Sequence, residues 1–344
     1  MSQYKFPAEW EKHKSTWIAW PHEESDWPGK FEIVDWVYSD IVRVLSSSEQ
    51  VNIVLSRKTS IERVKEVLEN SHVDLERVAY FYKETDRSWL RDSAPISVIA
   101  ADGLRKWVSF NFNAWAKYDN FSADSELPDF IAWASKRDIV KAIYKGKPVV
   151  MEGGAIETDG EGTLIVTEEC LQSEIQERNP GFSKSDYELV FKEFLGIEKV
   201  IWLEAGVRGD DTHGHIDDIT RFVGPQKVLT VIEEDKNHPN YAVLKKNKEI
   251  LLASTDAKGR KLEVIDLPMP SDVVFEGQVL PASYANFYIA NKVVLVPVFN
   301  DSKDRLALNI IADCFPDRDV VGVNARDLVL GLGTFHCLTQ QEVG

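Results

Sequence analysis

Four times along the chain of 344 residues, a short apolar run, an amphipathic stretch of helical period and a second apolar run follow one another. This recurrence limits the fold more than any other feature, because such a unit buries its apolar faces only by packing against further elements. The first copy takes a buried strand at 51–55, a capping-box signature of Thr59 with Glu62, a helical face of Ile61, Val64, Val67 and Leu68, and a strand at 78–82. The second runs from a strand at 163–166, through a helix opened by Ser185 with Glu188 and closed at Gly196, to a strand at 200–203. A third joins 228–232, a helical stretch at 241–252 and a strand at 262–265. The fourth joins 293–298, a helix over Leu306, Ile310 and Cys314, and a strand at 320–323.

Behind the second strand of each copy stands a polar motif: Trp89-Leu-Arg-Asp92, Gly214-His-Ile-Asp217, Pro281-Ala-Ser-Tyr-Ala-Asn286 and His336-Cys337. Modules packed about a common axis would bring these distant residues to one centre. Strand–helix–strand order is also common to any α/β chain, so the pattern supports that class and leaves the axial arrangement as the sharper of two readings.

No low-complexity tract or Pro/Gly/Ser-rich linker interrupts the chain, so residues 1–344 read as one domain. Asp and Glu outnumber Lys and Arg by 56 to 40, a formal charge of −16 that repels phosphate backbones and concentrates cations. A small cationic ligand fits this balance and nucleic acid does not, although solubility alone also favours acidic surfaces. Three scattered cysteines, Cys170, Cys314 and Cys337, form no C-x-x-C pair and no disulfide framework, which suits a reducing compartment. The first twelve residues lack the apolar core of a signal peptide, and the longest apolar run, 293–299, is too short to span a membrane. A cytoplasmic protein without a membrane partner is expected.

His215 and Asp217 stand two apart, so an extended segment would send both side chains from one face. Their surroundings, Gly209 to Asp218, are far more polar than a core strand, which suits either a site or a solvated loop. His213, His215 and Asp217 also alternate like metal ligands, resembling metallo-β-lactamase-like hydrolases, and a metal-dependent hydrolase is the competing class. That pattern, however, needs a histidine where Asp218 stands and more downstream than His238 and His336. Asp86 and Asp92 flank Trp89 in a turn-like stretch closed by Pro95, and Glu152 emerges from the apolar run 148–151 into Gly153-Gly154. Each is unremarkable alone. Cys314 falls on the apolar face of its helix and Cys170 follows Glu168-Glu169 at a helix start, both simplest as structural residues. Cys337 differs, ending a glycine-broken stretch beside His336 and before polar Thr339-Gln-Gln341.

In combination, Trp89-x-Arg-Asp92, Glu152-Gly-Gly154, Gly214-His-x-Asp217 and Gly-x-x-His-Cys337 resemble the agmatine deiminase and bacterial peptidylarginine deiminase family of guanidine-modifying enzymes. The likeness runs nearly end to end, through Trp17-Ile-Ala-Trp-Pro21, Thr167-Glu-Glu-Cys-Leu171, Arg178-Asn-Pro180, 280–288 and His336-Cys-Leu-Thr-Gln-Gln341. The resemblance implies a pentein fold, a single-domain α/β propeller of five modules about a pseudo-fivefold axis. It implies Cys337 as nucleophile, His215 as general acid and base, Asp92 and Asp217 as carboxylates gripping a guanidinium, and Glu152 as the residue orienting His215. Trp89 and Asp86 would join Asp92 and Asp217 in binding substrate. Hydrolysis of agmatine to N-carbamoylputrescine and ammonia, a step of putrescine and polyamine biosynthesis, would need no metal or organic cofactor. A homodimer is the family's expectation. The chain departs from the family at Leu332-Gly-Thr-Phe335, where Gly-Gly-Asn-Ile is frequent, and at Glu157, where histidine is common. Both departures bear on the pocket for the substrate tail.

Overall fold

The structure, a computed structural model, describes residues 3–344; Met1 and Ser2, the start of the stretch read for a targeting segment, lie outside it. Five sheets of three or four strands repeat one plan, in which a central strand pairs antiparallel on one side and parallel on the other. The parallel partner always follows a crossover, as parallel pairing requires. In one sheet His13–Ala19 is central, antiparallel to Thr339–Val343 and parallel to Gln50–Leu55, and Val78–Tyr82 extends that sheet by a further parallel strand. A second is centred on Arg105–Ser109, between Ile96–Ala100 and Ile139–Lys141, with Tyr4–Lys5 at its edge. Thr163–Thr167, Lys227–Ile232 and Val293–Val298 are the centres of the other three. Two short ladders, 143–148 and 273–280, complete the strands, and among the described residues no sheet closes on itself.

All four expected strand–helix–strand units are present, with helices Ile61–Asn70, Lys184–Leu195, Tyr241–Ala253 and Asp304–Cys314. Two helix starts differ from expectation. Ser60, not Thr59, caps Ile61–Asn70 through the Arg63 N–H, and Ser183 with Asp186, not Ser185 with Glu188, forms the capping box of Lys184–Leu195. Gly196 ends that helix in the left-handed conformation, as read. The run before Glu152 is not a strand but joins Asn111 through a single bridge at Val150.

The position of the antiparallel strand matters most for function. In each sheet it is entered directly from a short turn: Leu90–Ser93 before Ile96–Ala100, Gly153–Ala155 before Glu157–Thr158, and Ile216–Asp218 before Thr220–Gly224. The turn 283–286 likewise precedes Tyr288–Ile289, and Phe335–Leu338 precedes Thr339–Val343. The recurring polar motifs occupy these turns, and one large apolar cluster contributed by several sheets holds the units together. No helix of the described residues is long and apolar enough to cross a membrane. Leu295, fully buried on Val293–Val298, tests this packing: Leu295→Ala should cost about 2–5 kcal/mol in urea unfolding.

Candidate active site

The turns converge on a cavity of about 460 Å³ that Trp89, Asp92, Trp115 and Cys337 line at its buried end. Asp92 accepts hydrogen bonds from the Gly154 N–H at 3.0 Å and the Trp115 indole N–H at 2.9 Å. Its Oδ2 lies 3.8 Å from His215 Nδ1, and Asp217 Oδ1 lies 4.0 Å from the same nitrogen. Asp217 Oδ2 is 3.7 Å from Cys337 Sγ. On the far side of the imidazole, Nε2 is 3.9 Å from Glu152 Oε2, while Glu152 Oε1 accepts from Arg178 Nε at 3.0 Å. Both ring nitrogens of His215, Asp217 Oδ1 and Glu152 Oε2 are buried with no protein hydrogen-bond partner. These unpaired atoms make the cluster a site for a polar ligand rather than a closed structural network.

Local structure sets each group. Asp210 Oδ2 accepts from the Gly214 and His215 N–H groups, at 2.7 and 3.1 Å, which turns the chain so that the imidazole points inward. Asn286 Oδ1 accepts from Thr334 Oγ1 and the His336 and Cys337 N–H groups, while its amide donates to Cys337 Sγ at 3.1 Å. The glycines before Cys337 are needed for space, since a Cβ on Gly331 or Gly333 would lie 2.9 Å from the Trp89 ring. Behind Asp217, His336 faces Asp217 Oδ2 through Nδ1 and Glu9 Oε2 through Nε2, both at 2.7 Å. Glu9 in turn pairs with Arg221, which also holds Glu157.

The electrostatics follow from gathering acids in a dry place. Burial, then Asp217, Asp218 and Asp92, pushes the Cys337 thiol well above its ordinary value. Burial alone would lower the His215 imidazole, but Asp92 and the groups behind the ring outweigh it and hold the imidazolium well above the usual range. Burial raises Asp92 to about 6, with Asp217 and Glu152 adding to the rise against the opposing charge of His215. Glu152 is the contrast, since Arg178 overcomes burial and takes it down to about 2.

Cys337, His215, Asp92, Asp217 and Glu152 are thus brought together, with Trp89 beside them. Asp86 is not: its Oδ2 accepts from the Ala123 and Asp124 N–H groups at 2.7 and 3.3 Å, fixing the loop 121–126, and its neighbour Arg87 lines the cavity instead. His215 and Asp217 are neighbours, but through the tight turn Ile216–Asp218 rather than an extended strand. The metal set of His213, His215 and Asp217 is not assembled, because His213 Nε2 reaches Ser173 Oγ at 3.0 Å and Nδ1 lies toward Glu169. Sequence reasoning assigned no site role to Asn286, Trp115, Arg178, Glu9 or Cys170. For Asn286 a signal existed, since its motif keeps the register of the others.

Residues 5–342 match the family described as Porphyromonas-type peptidyl-arginine deiminase. A Selenomonas ruminantium protein assigned as an agmatine deiminase is 36% identical over 98% of this chain and 95% of its own length. The solved agmatine deiminase of Enterococcus faecalis superposes with a TM-score of 0.89 at 32% identity, covering 99% of this chain and 96% of that one. A cysteine-to-serine variant of the Campylobacter jejuni agmatine deiminase, solved with substrate bound, gives 0.87 at 28% identity and the same coverages. Pseudomonas aeruginosa DDAH, at 12% identity and 0.52, shares the fold alone. The class defined by this fold is therefore the mixed α/β architecture of the guanidine-modifying enzymes. Within it, the chain belongs to the Porphyromonas-type peptidyl-arginine deiminase family.

Gly154 tests the geometry most directly. A Cβ there would lie 2.6 Å from His215 Nδ1 and 2.9 Å from Asp92 Oδ1. Gly154→Ala should therefore keep the fold, as read by near-ultraviolet circular dichroism, while lowering kcat/KM for a guanidine substrate by about a hundredfold or more.

Proposed function

We propose that this protein is an agmatine deiminase, hydrolysing agmatine to N-carbamoylputrescine and ammonia through a covalent intermediate on Cys337. The observation that carries the reading is the cluster at and behind the buried end of the cavity: Cys337 and Asp92 line it, Asp217 lies beside the thiol, and the His215 imidazole lies near both carboxylates. A guanidinium is a planar cation of five N–H donors and low electrophilicity, so its hydrolysis needs anionic clamps, a strong nucleophile and a proton for the leaving amine. Asp92 and Asp217 supply the clamps, through charge-assisted hydrogen bonds worth about 1.5–3 kcal/mol each.

The Cys337 thiolate adds to the central carbon, forming a C–S bond and a tetrahedral adduct. His215, as imidazolium, gives its proton to the departing nitrogen, the C–N bond breaks, and ammonia leaves an S-alkylthiouronium on the enzyme. The neutral imidazole then takes a proton from water, whose oxygen adds to the same carbon. The C–S bond breaks, returning the thiolate, and the remaining hydroxyl proton passes to solvent or to the released ammonia as the ureido product leaves. Glu152, held ionised by Arg178, orients the imidazole from behind. The five sheets fit the modules of a propeller about a pseudo-fivefold axis, with residues 1–344 as one catalytic domain.

The cavity's charge favours a cationic tail over a carboxylate. Its charged lining consists of Asp26, Asp92, Asp211 and Glu276 against Arg87; Arg87 pairs with Asp26 and Lys117 with Asp211, which leaves, among the described residues, Asp92 and Glu276 as the acids of this lining without a Lys or Arg partner. An α-carboxylate, as in free arginine, would meet these acids, whereas the ammonium of agmatine is complementary to them. Ammonia release from agmatine, free arginine and a blocked arginyl peptide decides between substrates: agmatine should exceed the others in kcat/KM, and preference for the peptide would refute the assignment.

Two further outcomes follow. Cys337→Ser should lose more than about a thousandfold in turnover yet still bind agmatine, while Asp92→Ala weakens binding about ten- to a hundredfold. Since the surrounding carboxylates raise the Cys337 thiol in the free protein, an unreactive guanidinium analogue should lower its pKa. By linkage, analogue affinity should then rise about tenfold per pH unit between the complexed and free thiol pKa values, and stay flat outside them. Thiolate ultraviolet absorbance titrated with and without the analogue measures this, and an unchanged thiol pKa would rule it out.

A further inference from the structure

The segment Thr167-Glu-Glu-Cys-Leu171 has no task in the steps above, yet it is tied to the catalytic histidine at several points. Thr167 caps the helix Glu168–Gln172 by accepting from the Cys170 N–H at 3.1 Å. The same hydroxyl donates at 2.6 Å to the carbonyl of Gly214, the residue directly before His215. Glu169 Oε2 accepts from the Gly206 N–H at 2.7 Å, on the strand-to-turn connection that leads to that histidine. A Cβ on Gly214 would come within 3.1 Å of both Glu169 and Thr167, so the two segments are in close contact.

This attachment delivers the Cys170 thiol, almost fully buried, to the rear of the imidazole. There a donor atom from each of Cys170, Glu152 and His215 lies within 4.8 Å of the other two. Glu152 Oε2 and His215 Nε2 are both buried without a hydrogen-bond partner among the described residues, and they lie 3.9 Å apart. One side of Cys170 belongs to the apolar cluster with Val166, Leu171 and Tyr187, which keeps water from the pair.

We propose that Cys170 is a positioning residue for the deimination reaction: its sulfur packs with Glu152 against the His215 ring, limiting the ring's movement so that Nδ1 is presented to the reacting carbon. The proposal rests on the reading of His215 as general acid and base. A thiol suits this place because it is a weak acceptor with a polarisable, largely apolar body. A second carboxylate behind the ring would raise the Cys337 thiol further, and a hydroxyl fills the space against the apolar cluster less fully. Burial works against the imidazolium, and after Asp92 the Cys170 and Glu152 side chains are the groups that favour it. Removing the sulfur should therefore reduce the share of His215 present as imidazolium as well as loosen the ring.

The test uses Cys170→Ala and Cys170→Ser in the full chain. Cys170→Ala should lower kcat about tenfold with KM within about twofold, and should move the alkaline limb of the kcat profile to lower pH by about one unit. Cys170→Ser, which restores an acceptor, should recover most of both effects. The same titration read by 15N NMR of the imidazoles in the inactive Cys337→Ser background requires no turnover, so it decides the proposal even where agmatine proves not to be the substrate. A His215 titration that moves down in Cys170→Ala and returns in Cys170→Ser supports the role. Unmoved profiles in both variants, or a loss of stability and activity with an unmoved His215 titration, would overturn it and leave Cys170 as a core residue. If Cys170→Ala does not fold, Cys170→Val, which fills the space without an acceptor, takes its place: a downward His215 shift that Cys170→Ser does not show supports the role, and an unmoved His215 titration overturns it.

Discussion

Four carboxyl groups, Asp92, Glu152, Asp217 and Asp218, are held together in a buried centre, and the cost of keeping them there governs what surrounds them. Two have a resident basic partner, Arg178 for Glu152 and His336 for Asp217. Asp92 accepts hydrogen bonds from two neutral donors, the Gly154 amide and the Trp115 indole, and shares the His215 imidazolium, 3.8 Å away, with Asp217 and Glu152. The centre is thus left short of positive charge on the side that faces the cavity. A substrate that is itself a cation completes the balance, whereas a neutral urea-like product does not, so the same deficit that draws the substrate in lets the product go.

The arrangement also explains why the supporting network is so extended. Glu9, near one end of the chain, reaches His336 near the other, and through Arg221 it is joined to Glu157. Removing any one of these charges would strand its partner in the interior, which is far costlier than the pair is beneficial. Glu157, where histidine is common in relatives, belongs to this buried scaffold behind Asp217, and the Arg221 guanidinium that occupies it leaves no freedom to contact a substrate tail.

Much of this was legible in the sequence, for identifiable reasons. Strands such as Val293–Val298 are continuous apolar runs because they are covered on both faces, and their helices carry clear 3.6-residue periodicity. The sheet centred on Arg105–Ser109 escaped notice because that strand is half polar and its parallel partner, Ile139–Lys141, has only three half-exposed or exposed residues. Asp92, His215 and Cys337 could be nominated from register and residue type, but their mutual distances depend on turns of three or four residues that no periodicity describes. Asp86 was misplaced by one residue of turn geometry, which sends Arg87 rather than its neighbour to the cavity. Cys170 was read as structural because nothing local distinguishes a core thiol from one lying behind an imidazole; only the long-range contact through Thr167 and Gly214 does.

The pairing of Thr339–Val343 with His13–Ala19 has a consequence for biosynthesis. Cys337 stands two residues before that last strand, and its N–H is held by Asn286 only when the strand is in register. A chain emerging from the ribosome carries its three carboxylate-bearing turns, at Asp92, Glu152 and Asp217, well before it acquires the Cys337 thiol. With Cys337 as the proposed nucleophile, a chain cut short of it would hold the carboxylate cluster without a means of covalent attack. The joining of the two ends, across more than three hundred residues, is the longest-range strand pairing among the described residues, and Cys337 lies beside it.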